Sequence, residues 1–180
     1  MNRKRIQRDY ENVDYVDEKG RVRTKVVYKG AHYVPESPEK LQKFKIFFTL
    51  VAAIVGAATL LPLFFPITPM RTMYVAVPFV GQVFPLFFII SGAYKALTAK
   101  PPYNEETKAA VTEAAKIGSF VGMGLALVSA AGFIALWAMG KLSGADFIAG
   151  ASIAACLIGY GLLLLLLRGM RLKAENPKES

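Results

Sequence analysis

The chain contains one cysteine, one histidine and one tryptophan in 180 residues, and the first two scarcities each close off a class of chemistry. With only Cys156, there is no intrachain disulfide and none of the paired thiols that four-helix, quinone-linked thiol oxidoreductases need. His32 has no second His, Cys or carboxylate cluster at metal-ligand spacing, so no metal site is expected. There is also no G-x-S-x-G, no P-loop and no G-x-G-x-x-G. Neither a cofactor nor an enzymatic activity is therefore expected.

The more informative absence is charge. Residues 46–70, 72–94, 117–140 and 147–167 contain no Asp, Glu, Lys, Arg or His. About 20 apolar residues, rising roughly 1.5 Å each, cross the hydrocarbon core of a bilayer, and each stretch reaches that length. A soluble domain of this size could not hide four helices that lack a polar face. The mean hydropathy of +0.37 agrees. These stretches also lack the embedded glutamate on which small proton-coupled multidrug exporters rely, and ionisable groups at depth are the usual mark of transport or catalysis in membranes. The first 45 residues are polar or mixed, so a cleavable signal segment is not expected.

What is present begins with the basic residues. Lys and Arg collect on the cytoplasmic side of short loops. Twelve lie in residues 1–45, four in residues 95–116 and four in residues 168–180, against single residues, Arg71 and Lys141, in the two remaining loops. Both termini and loop 97–116 are therefore expected in the cytoplasm. The net charge of +9 follows largely from this asymmetry and implies no nucleic-acid binding. Arg3, Lys4, Arg5 and Arg8, with no acid before Asp9, form a candidate contact for anionic headgroups.

The fold expected is an all-α membrane protein of four transmembrane helices in two helical hairpins, with a small cytoplasmic β-hairpin ahead of them. Residues 1–42 form the N-terminal segment, 43–168 the membrane domain with spans at 44–67, 72–96, 117–140 and 146–168, and 169–180 the tail. Pro62, Pro66 and Pro69 should break the first helix near its outer end, because proline lacks a donor and clashes with the preceding turn. Pro78 and Pro85 around Gln82 predict a kink at depth, and Gln82 is either satisfied by a carbonyl the prolines free or part of a solute path. Small residues spaced by four, Gly118 and Gly122, then Ala151, Ala155 and Gly159, mark expected helix contacts. Asn104 should cap a third helix that starts near Glu105 and enters the membrane unbroken. The leucine run 162–167 is expected to face lipid.

The hairpin is read at residues 10–28. A loop of Glu18, Lys19 and Gly20, with glycine supplying the left-handed position, sets a register in which Val16 faces Val22, Asp14 faces Thr24, Asn12 faces Val26 and Tyr10 faces Tyr28. Tyr10, Val16, Val22, Val26 and Tyr28 make one face largely apolar, and residues 9–29 carry five acids and five bases. A two-stranded hairpin is marginal alone in water, so this face needs a cover. The chain's expected role is thus an accessory or scaffold subunit of a membrane complex, docked through the hairpin. The alternative is a channel or carrier for a neutral or weakly polar solute. Expected partners are the lipid bilayer of the cell membrane and either further copies of the chain or other membrane proteins.

Overall fold

The computed structural model describes residues 10–16, 21–28, 30–170 and 172–175. It is mostly helical, with four long apolar helical columns and a small N-terminal β-hairpin. The hairpin strands β1 (Tyr10–Val16) and β2 (Val22–Tyr28) pair antiparallel in the register the sequence predicts, Tyr10 opposite Tyr28 and Val16 opposite Val22. Asp14 and Thr24, opposed in that register, share a hydrogen bond in which the Thr24 hydroxyl donates at 2.7 Å. The connecting loop of Glu18, Lys19 and Gly20 lies outside the described residues.

The first column is α1 (Pro38–Leu60), continued by a 3-10 turn at Leu61–Phe64. Proline at its first position needs no donor, so the helix starts there, six residues ahead of the span expected at 44. Pro62 tightens its far end and Pro66 lies beyond it, as proline chemistry dictates. A short helix α2 (Thr68–Arg71) turns the chain into the second column, which is two helices, α3 (Met73–Gly81) and α4 (Val83–Thr98), meeting at Gln82. The third column opens with α5 (Glu105–Lys108), where the Asn104 side chain accepts the Thr107 N–H at 2.8 Å. It passes through a π-helical segment (Ala109–Ala114) that the sequence did not announce and continues as α6 (Ala115–Ala138). The fourth is α7 (Phe147–Gly169).

These columns are long and apolar enough to cross a membrane. They form a ring in which α1 touches α4 and α7, and α6 touches α3, α4 and α7. Phe48, Val55, Ile89, Ala115, Tyr160 and Leu163 fill its core. Only 28 to 39% of each column's most apolar window is buried inside the molecule, so most of the apolar surface faces outward. Water-soluble monomers do not expose contiguous apolar surface on that scale, whereas a bilayer covers it.

The leucine run departs from its expected role as a purely lipid-facing segment. Leu163 and Leu167 are buried, while Leu162 and Leu165 are exposed. Six consecutive residues at 3.6 per turn wrap the whole helix circumference, so a run of this length must send part of itself inward.

One end of the ring carries an unexpected plate. The tail forms strand β4 (Leu172–Glu175), which pairs antiparallel with β3 (His32–Pro35), His32 opposite Glu175 and Pro35 opposite Leu172. Tyr33 also bridges to Tyr103 in the loop between the second and third columns through two backbone bonds of 2.8 and 2.9 Å. Lys45 donates to the Ala99 carbonyl at 2.9 Å, and the Lys108 ammonium sits 3.9 Å from the centre of the Tyr33 ring. The segment before the bundle, the middle loop and the tail thereby meet at one end. The tail, for which no strand was expected, is tied into a sheet, and the β content exceeds the single hairpin.

Asp146 holds the opposite end. Its carboxylate accepts from the Ser143 N–H at 2.7 Å, the Ser143 hydroxyl at 2.9 Å and the Thr68 N–H at 2.7 Å. One buried side chain thus joins the two short loops and completes a capping box ahead of α7.

Candidate functional site

Glycines set the helix approaches. A β-carbon on Gly118 would stand 2.9 Å from the Pro85 carbonyl oxygen, and one on Gly132 would stand 2.9 Å from a Val75 methyl. A β-carbon on Gly122 would run into the Tyr160 ring, and one on Gly159 into Val55. Three of the five expected small-residue contacts, Gly118, Gly122 and Gly159, are therefore close approaches. Ala151 is exposed and Ala155 only half-buried. Steps of four residues advance 400° around a helix of 3.6 residues per turn, so a strict four-residue line drifts off a straight interface. The face that α7 buries alternates steps of three and four, through Ala149, Ser152, Cys156, Gly159 and Leu163.

Those approaches also fix levels along the bundle. Gly118 packs at Pro85, Gly81 faces Leu125, and Gly132 packs at Val75. The second and third columns are thus antiparallel, and Gln82 is level with the turn around Gly122, where Tyr160 is seated. On the other side of the ring, Gly56 faces Leu86 and Gly159 faces Val55. Thr59, Gln82, Cys156 and Tyr160 thereby form a polar layer near mid-bundle, all fully buried.

Its hydrogen bonding is incomplete. The Thr59 hydroxyl donates to the Val55 carbonyl at 2.8 Å and lies 3.5 Å from the Cys156 sulfur. Among the described residues, both amide atoms of Gln82 are buried without a hydrogen-bond partner, and the Tyr160 hydroxyl makes no bond of good geometry. The expectation that Gln82 answers a proline-freed carbonyl is therefore not met. Locally, the break at Gln82 places Pro85 in the first turn of α4, where an N–H has no acceptor within its own helix, so the proline costs α4 no internal bond. Pro78 lies inside α3, yet no bond connects it to the amide. A buried amide without partners carries a desolvation penalty of about 1–3 kcal/mol, and such groups call for a water, a solute or a function.

Four apolar side chains of the hairpin are open to the outside. Val16 and Val22 are 66% and 71% exposed, and Val13 and Tyr15 on the other face are exposed as well. The strand positions of Tyr10, Val26 and Tyr28 are those predicted. Arg3, Lys4, Arg5 and Arg8 lie outside the described residues.

Sequence reasoning missed Asp146 and the Tyr33–Tyr103 bridge. The first had a legible signal, Ser143 three residues ahead of an acid at the start of an apolar run. The second had none, because it joins positions 70 residues apart. No protein-family model, curated protein or solved structure matches the chain.

Proposed function

We propose that this chain is a multi-pass membrane protein with both termini in the cytoplasm, acting as an accessory or scaffold subunit that docks a partner through its N-terminal hairpin. The observation that carries this reading is the hairpin itself: it pairs over seven residues per strand, and Val16 and Val22 at its turn end are left uncovered by the bundle. A hairpin of this length is marginal without a surface over it, and an exposed pair of strands is a template for a further strand from a partner. The plate of β3, β4 and Tyr103 anchors the segment that follows the hairpin, so the docking element projects from a fixed base.

The test is purification in mild detergent with identification of the proteins that stay bound, compared with a Val16→Asp, Val22→Asp variant. A stoichiometric partner that the variant loses while its bundle stays folded supports docking. A lone chain in both cases removes it.

A second reading, passage of a neutral or weakly polar solute, rests on the unpartnered Gln82 amide in the polar layer with Thr59, Cys156 and Tyr160. Flux through proteoliposomes that Gln82→Leu leaves unchanged would end it.

A further inference from the structure

We propose that the groove between the start of α1 and the end of α7 is a binding site for one anionic phospholipid, its phosphate held by Lys40 and Lys43 and an acyl chain lying between the two helices. The inference rests on the bundle being membrane-embedded and is independent of hairpin docking. The groove has a volume of about 580 Å³, within the range of roughly 300–1,000 Å³ usual for ligand sites.

Its two walls have the helical spacing of a single face each. On α1, Lys40, Lys43 and Phe47 follow one another at steps of three and four; on α7, Leu162, Leu165 and Gly169 do the same. The walls are thus aliphatic or aromatic along the bundle and cationic at the mouth, the order of a lipid's own chemistry from tail to headgroup. Phe47, Leu162 and Leu165 are exposed, so the groove opens sideways to the surface that a bilayer would cover. The mouth is also electrostatically unanswered. Neither lysine has a hydrogen-bond or ion-pair partner among the described residues. The one acid that lines the groove, Glu36, stands 3.6 Å from the Lys173 ammonium instead.

Gly169 supplies the last feature. A β-carbon there would meet no atom within 4 Å, so the groove is open at this point by the absence of a side chain. A larger residue could fill it without disturbing the helices.

The test is native mass spectrometry of the full chain in detergent, titrated with dioleoyl phosphatidylglycerol, with dioleoyl phosphatidylcholine of equal chain length, and with glycerol 1-phosphate. Each lysine near an anionic headgroup is worth about a fivefold change in affinity, so the wild type should bind its first phosphatidylglycerol about 25-fold more tightly than phosphatidylcholine. Lys40→Gln with Lys43→Gln, both exposed positions, should bring the two lipids level, and Gly169→Leu should weaken both. Glycerol 1-phosphate should not displace the lipid. Equal binding of the two lipids by the wild type, a preference that survives the double lysine change, or displacement by glycerol 1-phosphate would each overturn the site. Should Gly169→Leu fail to fold, the lysine variant still decides. A protein that fractionates with membranes yet ignores lipid charge loses only this site; one recovered free of membranes loses the embedded reading as well.

Discussion

Single residues with measurable consequences sit at both kinds of contact. Gly122 accommodates the Tyr160 ring, whereas a β-carbon on Gly124, two residues along the same helix, would meet nothing within 4 Å. Gly122→Ala should therefore destabilise the bundle by about 1–3 kcal/mol through overpacking, while Gly124→Ala should be neutral or stabilising by up to ~1 kcal/mol through helix propensity. Thermal unfolding in detergent separates the two. Asp146→Ala takes their shared acceptor from the loop N–H groups of Thr68 and Ser143 and should remove roughly 1–3 kcal/mol, since bonds to a charged group are worth about 1.5–3 kcal/mol each but these part-buried N–H groups regain water. Tyr103 offers a pH handle. Burial raises its phenol above the ordinary 10.0, so the folded state holds that proton more tightly than the unfolded chain does. Stability of the plate from this source is complete below pH 10 and declines as pH rises through and beyond it; a Tyr103→Phe protein should lack this part of the alkaline decline in melting temperature.

At the scale of elements, what could be read in the sequence was whatever depends on neighbours along the chain. The charge-free stretches located the columns, Pro62 located the tightened end of α1, Asn104 located the start of α5, and the turn chemistry fixed the hairpin register. What could not be read depends on meetings across the fold. β3 and β4 are four residues each, too short for an alternation of apolar and polar side chains to show, and they are joined only because the bundle brings the tail back beside residue 33. The same holds for Gln82: its prolines were legible, but whether a partner lay within reach of its amide was decided by packing around Gly122 and Tyr160. The plate makes its own prediction. Val34→Pro removes a strand N–H from β3, so amides of residues 172–175 should exchange much faster with solvent, while amides of α6 stay protected, as read by hydrogen-exchange mass spectrometry.

For the whole molecule, the ring geometry and the charge distribution agree on one point. The segment before α1, the middle loop and the tail share an end, and twenty of the 22 basic residues lie in or beside them, within residues 1–45, 95–116 and 168–180. With Cys156→Ser as background, a cysteine at Gly144 should react with an impermeant thiol reagent in intact cells, and one at Glu39 only after lysis. The central claim is that the hairpin's exposed face is covered by a protein partner in the membrane. A photo-reactive amino acid at Val22, activated in native membranes, measures this most directly. Docking predicts one discrete adduct in good yield, lost when Val16 is changed to Asp. Recovery of uncross-linked chain alone, from membranes in which the protein is folded and abundant, would contradict it.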